Sequence, residues 1–184
     1  MGKLTLILGG ARSGKSSHAQ NLALQSGKPV TFIATAQVLD EEMDARIAKH
    51  RVERPAAWIT LEIPFGLASH ADQIRTAVVV VDCLTLLVSN LMMQFATVEV
   101  VDEAGFAHAV EGEIEALIKA IQDHGGVWIV TSNEVGLGVV PPYPMGRVYR
   151  DQLGWANQRL AREADEVLWM MAGIAVPIHT HRGS

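Results

Sequence analysis

The sequence predicts an α/β fold built on a mostly parallel β-sheet flanked by helices. Three observations carry this prediction. Short apolar runs alternate with segments of helical periodicity, which is the order of βαβ units. Hydrophobic residues make up 49% of the 184 positions, as strands covered on both faces require. A glycine-rich pattern typical of phosphate-binding loops also follows the first apolar run directly.

The predicted strands are short apolar runs rich in β-branched residues, the composition of strands buried inside a sheet. The run of four valines that precedes Asp82 is the clearest of them. Gly173 separates the last two runs, which predicts a C-terminal β-hairpin. The predicted strands span residues 4–8, 30–34, 77–82, 127–131, 167–172 and 175–178.

The predicted helices carry apolar residues at helical spacing between recognisable start and stop signals. Glycines at 27 and 125 end two of them, because glycine is common just after a helix. Asp40 caps a third, and Pro55 ends it by disfavouring helical geometry at the preceding residue. The predicted helices span residues 15–25, 40–54, 84–94, 106–124 and 149–164, and residues 95–103 and 132–149 are predicted to be connections.

Size and charge restrict the class of protein. A chain of 184 residues fits one domain, residues 1–184, that can bury its own core. No uncharged run reaches the ~18–20 residues of a membrane span. The single cysteine excludes an internal disulfide framework, and the net charge of −5 disfavours a nucleic-acid partner. We therefore expect a cytoplasmic protein without a nucleic-acid or membrane partner.

The strongest motif is the phosphate loop, residues 9–16, which satisfies G-x-x-x-x-G-K-[ST] without a mismatch. Its glycines let backbone amides wrap around phosphates, and the following helix adds its positive end. Lys15 is placed to reach the β- and γ-phosphates of a nucleoside triphosphate, and Ser16 to hold Mg²⁺. The nucleotide-binding residues predicted here are Gly9, Gly10, Ala11, Arg12, Ser13, Gly14, Lys15 and Ser16.

A partner for Ser16 at the metal is expected at the end of another buried strand. Asp82 follows four valines and fits that position. The alternative is that Asp82 caps the helix that follows it. Cys83, the next residue, is interpreted as a small core residue rather than a nucleophile.

Several cationic side chains lie close in sequence to one histidine near the end of the helix predicted at residues 40–54. Arg46 and His50 share a helix face because they are four residues apart, and Arg51 and Arg54 follow. One interpretation is a solvated basic helix end, where cations suit the negative dipole. The other is an imidazole that attacks phosphorus while guanidinium groups hold the phosphate oxygens. Spacing alone leaves both interpretations open.

Six sequence blocks together resemble one enzyme family. They are GGARSGKS at 9–16, IAT at 33–35, EMDARIAKHRVERPAAW at 42–58, DCLTLLVSN at 82–90, SNEVGLGVVP at 132–141 and GRVYRDQLGWANQRLAREADEV at 146–167. Over nearly the whole chain they resemble the bifunctional adenosylcobinamide kinase / adenosylcobinamide-phosphate guanylyltransferases of cobalamin biosynthesis. The resemblance implies a RecA-like P-loop fold and a homotrimer.

The resemblance also implies two reactions. ATP or GTP phosphorylates the aminopropanol hydroxyl of adenosylcobinamide, and GTP then gives GMP to a histidine with release of pyrophosphate. The cobinamide phosphate takes up the GMP and becomes adenosylcobinamide-GDP. His50 is the histidine implied, with Lys15 as the other catalytic residue. The implied nucleotide contacts beyond the phosphate loop are Ile33, Ala34, Thr35, Arg51, Val52, Glu53, Arg54, Glu62 and Asp82.

Two other functions stay open from the residues alone. A simple small-molecule kinase, with a structural His50, would transfer the γ-phosphate without forming a covalent nucleotide adduct. A nucleotide-driven switch protein would hydrolyse nucleotide slowly, stimulated by a macromolecule. The base of the kinase step is open between Asp82 and Glu134, and the Glu134 carboxylate alternatively bonds its local backbone.

Overall fold

A computed structural model of the chain describes residues 2–37, 51–52, 54–97 and 100–180. The strands are β1 Lys3–Gly9, β2 Val30–Ala34, β3 Ile59–Glu62, β4 Val78–Asp82, β5 Val127–Asn133, β6 Glu166–Met171 and β7 Ile174–Thr180. The α-helices are α1 Lys15–Gln25, α2 Leu84–Phe95, α3 Glu103–His124 and α4 Pro144–Glu163, and a 3₁₀ helix spans Leu67–Gln73.

All seven strands form one sheet in the order β3-β2-β4-β5-β1-β6-β7. Every neighbouring pair is parallel except β6 and β7, which form an antiparallel hairpin. This arrangement confirms the predicted parallel sheet and the predicted C-terminal hairpin. It also brings the carboxyl ends of β1, β2, β4 and β5 to the same edge.

The core has two parts because side chains alternate between the faces of the sheet. In β4, Val79 and Val81 face a cluster that contains the buried residues of α2, α3 and α4. Val78 and Val80 face the opposite cluster, which includes Ala19 and Ala23 of α1. Both faces of β4 are thus covered, which explains its unbroken run of valines. None of the described helices combines the length and apolar character needed to cross a membrane.

The predicted connection at residues 132–149 is wrong at both ends. β5 continues through Asn133, and α4 begins at Pro144 rather than at Tyr149. Proline suits the first turn of a helix because it lacks the N–H that would stay unbonded there, and its fixed φ is helical. Of the three prolines at positions 141, 142 and 144, the last begins α4. The β5–α4 loop therefore spans only residues 134–143.

Two elements were not predicted, and one prediction lies largely outside the described residues. β3 is a short strand with mostly exposed residues, so it lacks the apolar run that marks a buried strand. The 3₁₀ helix at residues 67–73 buries only Leu67 and likewise carries little pattern. Of the helix predicted at 40–54, residues 51–52 are described and helical, whereas residues 40–50 and 53 lie outside the described ranges.

Candidate active site

The carboxyl edge of the sheet gathers residues that are far apart in sequence, and ligands of such sheets bind there. The phosphate loop follows β1, Asp82 ends β4, and Thr35 follows β2. The Thr35 N–H donates to the Asp82 carbonyl at 3.2 Å, and the Glu134 N–H donates to the Gly9 carbonyl at 3.1 Å. The ends of four strands are therefore bonded together around the phosphate loop.

The phosphate loop turns the chain from β1 into α1. Gly14, at the start of the helix, has a φ of 96°, a left-handed conformation that glycine adopts without strain. A Cβ at Gly14 would lie 3.3 Å from the Cα of Gly173 in the β6–β7 turn. Among the described residues, no side chain caps the first turn of α1, and no acidic residue lies in it. Its amide groups are thus available to an anion.

The Lys15 ammonium lies within the phosphate loop. Its Nζ donates to the Gly10 carbonyl at 2.7 Å and lies 3.4 Å from Ser13 Oγ. Burial lowers the pKa of Lys15, and nearby Cys83 and Asp82 act in the opposite direction. A buried ammonium held by the loop's own oxygen atoms is positioned to neutralise a phosphate tail.

Asp82 accepts two hydroxyl hydrogen bonds on one oxygen atom. Ser16 Oγ donates to Asp82 Oδ1 at 3.1 Å, and Thr131 Oγ1 donates to the same atom at 2.6 Å. Cys83 occupies the cap position of α2, and no described side chain caps that helix, so the alternative role of Asp82 as a cap is wrong. Hydroxyl and carboxylate oxygens are ligands that Mg²⁺ prefers, together with phosphates and water. Ser16 and Asp82 therefore fit a Mg²⁺ ion.

Thr131 is a site residue that the sequence analysis missed. It is fully buried in β5, and its hydroxyl lies closer to Asp82 than to the Val81 carbonyl, which is 3.4 Å away. One feature of the sequence could have indicated it. Thr131 is a polar residue that directly follows the apolar residues of β5, the strand that pairs with β4. Since Thr131 bonds to Asp82 independently of Ser16, it fixes the orientation of the carboxylate.

Thr131→Val should weaken the Mg²⁺-dependent part of nucleotide binding about 10-fold while keeping the fold. Valine has nearly the shape of threonine, but it loses a bond to a charged group, which is worth about 1.5–3 kcal/mol. Titration calorimetry of nucleotide with and without Mg²⁺ measures the effect, and Thr131→Ser, which keeps the hydroxyl, should restore it. Equal Mg²⁺ dependence in Thr131→Val and the wild type would contradict this role.

Residues 33–35, implied as nucleotide contacts, have buried side chains. Thr35 Oγ1 donates to the Cys83 carbonyl at 2.7 Å and accepts the Cys83 N–H at 2.8 Å. The Asn90 amide donates to the Thr35 carbonyl at 2.8 Å. These bonds fix the chain just after Asp82, so Thr35 positions the carboxyl end of β4. A direct nucleotide contact by residues 33–35 stays a prediction.

Arg54 brings a guanidinium group to the same region. Its Cζ lies 3.8 Å from the centroid of the Phe32 ring, a cation–π contact. Burial lowers the pKa of Arg54, whereas the charge of Asp82 raises it. The Nε atom is buried and has no hydrogen-bond partner within the described ranges. Because a guanidinium group carries only donors, this N–H is available to an anionic ligand such as a phosphate oxygen.

The other implied nucleotide contacts that the structure describes lie at the surface. Arg51 and Glu62 form an ion pair with each other, and both side chains are more than half exposed. Solvent screens such a pair, so it contributes little stability and can exchange for a ligand. Val52 is exposed as well. His50 and Glu53 lie outside the described residues, and their positions stay predictions.

Two further groups near the edge, Glu134 and Cys83, make contacts of their own. The Glu134 carboxylate accepts the Gly136 N–H at 2.6 Å, which is the local backbone contact considered as an alternative. Its role as a base stays a prediction. Burial raises the pKa of the Cys83 thiol to about 11, with Asp82 acting in the same direction. A protonated thiol is a poor nucleophile, as expected for a small core residue.

Polar side chains that sequence reasoning passed over hold the end of β5. The Asn133 N–H donates to Thr85 Oγ1 at 2.7 Å, and Tyr149 Oη donates to the Thr85 carbonyl at 3.0 Å. The Asn157 amide donates to the Asn133 carbonyl at 3.1 Å. Helices α2 and α4 thereby fix the point at which the β5–α4 loop leaves the sheet. Only the folded arrangement brings these residues together.

Comparison with known proteins places this geometry in context. Among solved structures, a RadB recombinase matches with a TM-score of 0.51 at 18% identity, covering 91% of this chain and 73% of that one. This likeness shows a RecA-like P-loop fold.

Among curated proteins, the bifunctional adenosylcobalamin biosynthesis protein CobP of Pseudomonas aeruginosa is 44% identical over 177 residues, covering 94% of this chain and 95% of that protein. The corresponding CobU of Escherichia coli is 41% identical over 180 residues, covering 95% and 99%. Residues 5–178 match the family described as cobinamide kinase / cobinamide phosphate guanyltransferase. The chain belongs to this family of bifunctional enzymes of cobalamin biosynthesis.

Proposed function

We propose that this protein phosphorylates adenosylcobinamide with ATP or GTP and then transfers GMP from GTP to the product, which becomes adenosylcobinamide-GDP. Family membership over residues 5–178 supports this pair of reactions. The structural observation that carries the proposal is the uncapped start of α1, with Lys15 inside the loop and Ser16 bonded to Asp82. That arrangement supports the binding of a nucleoside triphosphate and Mg²⁺.

In the kinase step the chain positions the donor and neutralises its charge. The loop amides and Lys15 hold the phosphate tail, while Ser16 and Asp82 hold Mg²⁺, with Thr131 fixing the carboxylate. When bound, Mg²⁺ neutralises charge that develops on the transferred phosphoryl group. Phosphoryl transfer depends mainly on such positioning and charge neutralisation. The acceptor hydroxyl forms the new bond to the γ-phosphorus, and the nucleoside diphosphate leaves.

In the nucleotidyl step we assign the nucleophile to His50. A neutral imidazole nitrogen forms a bond to the α-phosphorus of GTP, the bond to the β-phosphate oxygen breaks, and pyrophosphate leaves. An oxygen of the cobinamide phosphate then displaces the imidazole and takes the GMP. Arg51 and Arg54 follow His50 in the sequence, and the unpartnered Nε of Arg54 supports a guanidinium contact to the phosphates.

His50→Ala should abolish covalent labelling of the protein by GTP that is radioactive at the α-phosphate. The expected adduct is a phosphoramidate, so the label in the wild type should be lost in acid and kept in alkali. His108→Ala, which removes an exposed histidine of α3, is the matched control and should label like the wild type. Full labelling of His50→Ala would reject His50 as the nucleophile.

Exchange of pyrophosphate into GTP, with purified protein and no corrinoid, separates this proposal from a simple kinase. Exchange requires a reversible nucleotidyl-enzyme, which a simple kinase does not form. If the protein hydrolyses nucleotide and phosphorylates adenosylcobinamide but does not exchange pyrophosphate into GTP, the nucleotidyl step is rejected. Only the kinase reaction then stands.

The remaining parts of the proposal concern the oligomeric state, the cellular location and the ligands. We propose that the protein acts in the cytoplasm as a homotrimer, with Mg²⁺, ATP or GTP, and the corrinoid as its partners and no nucleic acid. Light scattering of the purified protein tests the trimer, and competition of ATP with GTP in the kinase assay tests the choice of donor.

A further inference from the structure

The β5–α4 loop, residues 134–143, and the first turn of α4 carry an exposed apolar surface beside the phosphate loop. From residue 135 to residue 146 the sequence contains no charged side chain. Leu137 is 80% exposed and Val139 is 95% exposed, and Val140, Tyr143 and Met145 are exposed as well. Contiguous exposed apolar side chains typically mark a binding surface rather than a solvated loop. We call these five residues the apolar ledge.

The apolar ledge is held in place from both ends. At one end, the Glu134 N–H donates to the Gly9 carbonyl, and the Glu134 carboxylate accepts the Gly136 N–H. At the other end, Arg147 Nη1 donates to the carbonyls of Pro141 and Pro142 at 3.1 and 2.9 Å. Consecutive prolines also restrict the backbone. A surface ordered before binding costs less entropy when a ligand arrives.

The close packing of the loop on α4 is visible at Gly146. A Cβ at Gly146 would lie 2.8 Å from Pro141 Cβ, which is closer than side chains tolerate. The loop thus rests directly on the first turn of α4, leaving the apolar side chains as its outer face.

The position of the loop identifies what it faces. β5 lies between β4, which ends in Asp82, and β1, which leads into the phosphate loop. The loop therefore leaves the sheet between the metal-binding carboxylate and the residues that hold the nucleotide. An acceptor hydroxyl attacks the γ-phosphate from the side opposite the leaving oxygen, and the β5–α4 loop begins next to the phosphate loop, where the Glu134 N–H bonds to the Gly9 carbonyl. The rest of the acceptor molecule then contacts the β5–α4 loop, which leaves the sheet at this point.

We infer that the apolar ledge binds the corrinoid macrocycle of adenosylcobinamide, an inference that rests on the proposed function. A corrin is a large rigid ring with methyl groups on its faces and its polar amides on side arms, so a rigid, uncharged, apolar ledge matches its chemistry. The hydroxyl on its flexible aminopropanol arm reaches the phosphate loop while the ring lies on the ledge. A second exposed apolar set lies on β7, at Ile174, Val176 and Ile178. Within the part of the chain that the structure describes, β7 is the outermost strand of the sheet, and an edge strand suits a protein chain better than a ring.

Val139→Asp tests the inference by placing a charge on the ledge at its most exposed residue. Equilibrium dialysis, followed by the visible absorbance of adenosylcobinamide, should show binding weakened about 10-fold or more, because an apolar contact is lost and a carboxylate must be desolvated. The same variant should raise KM for adenosylcobinamide with little change in kcat. Val139→Leu, which keeps the ledge apolar, should bind within about 3-fold of the wild type.

The controls separate this site from the nucleotide site and from assembly. Leu24→Asp places the same charge on a half-exposed apolar residue of α1, near the opposite edge of the sheet, and should leave corrinoid binding unchanged. Nucleotide affinity, pyrophosphate exchange and molecular mass by light scattering should be the same in Val139→Asp as in the wild type.

The outcomes are distinct. Equal corrinoid binding by Val139→Asp and the wild type would overturn the inference alone, with the proposed function intact. A changed molecular mass in Val139→Asp would also overturn it, because the ledge would then be a contact between copies of the chain. Failure of the wild type itself to bind adenosylcobinamide would overturn the proposed function and this inference together.

Discussion

Replacing Lys15 by methionine is expected to lower kcat/KM for nucleoside triphosphate by about 10²–10³-fold, the range seen when one preorganised electrostatic contact is removed from a transition state. The Nζ of Lys15 lies inside the phosphate loop, 2.7 Å from the Gly10 carbonyl. Methionine fills similar space but carries no charge. Steady-state kinetics of the kinase and guanylyltransferase reactions measure the loss, since the proposed function places the phosphate tail in the same loop in both.

The fold of Lys15→Met should be at least as stable as that of the wild type. Burial lowers the pKa of Lys15 from its ordinary value of 10.5, so the folded state disfavours the charged form. At pH values just below 10.5 the unfolded wild type therefore binds more protons, and its free energy of unfolding should rise with pH there. The difference in the free energy of unfolding between wild type and Lys15→Met, measured in urea from pH 8 upward, isolates this contribution.

Lys28→Met is the matched control because Lys28 is exposed and lies beyond the end of α1. It should leave both the kinetics and the pH dependence unchanged. Lys15→Met with wild-type kinetics would show that the ammonium does not contact the phosphate tail. A stability loss of several kcal/mol would show that Lys15 serves the fold instead.

Asp82→Asn is expected to lower kcat of the kinase reaction by about 10²–10³-fold and to remove most of the Mg²⁺ dependence of nucleotide binding. Asparagine keeps an oxygen that can accept the bonds from Ser16 and Thr131, so the local packing survives. It loses the negative charge that a divalent cation needs. Electron paramagnetic resonance with Mn²⁺ and nucleotide measures metal binding directly, without reference to activity.

Asp72→Asn controls for the loss of one carboxylate, since Asp72 is exposed in the 3₁₀ helix. It should bind Mn²⁺ with nucleotide as the wild type does. Unchanged Mn²⁺ binding by Asp82→Asn would place the metal elsewhere and leave Asp82 as a partner of Ser16 and Thr131 only.

The elements that sequence predicts well are those whose pattern is local. The four valines before Asp82 and the glycines at positions 9–16 are read directly, because burial on both faces and a tight loop each demand particular residues. α1 and β2 have the bounds that the sequence predicts. The start of α4 was misplaced because proline marks both loops and first helical turns, and only the folded chain distinguishes the two.

The contacts that escaped prediction join residues that are far apart in the sequence. Thr131 matters because β5 pairs with β4, which places its hydroxyl on Asp82. Arg54 lies against Phe32 although 22 positions separate them in the sequence. Neither contact follows from spacing, since each depends on which strands become neighbours. The resemblance supplied the expectation that Arg54 binds nucleotide, and the structure adds the buried N–H that would do so.

The β6–β7 turn touches the phosphate loop, where the Gly173 N–H donates to the Ser13 carbonyl at 3.0 Å. The two partners lie 160 positions apart in the sequence, so the bond forms only after the turn at Gly173 has been synthesised. During synthesis the phosphate loop leaves the ribosome early, whereas the β6–β7 turn that bonds to it leaves late. The phosphate loop therefore gains this backbone bond only after the β6–β7 hairpin has been synthesised and has paired with the sheet.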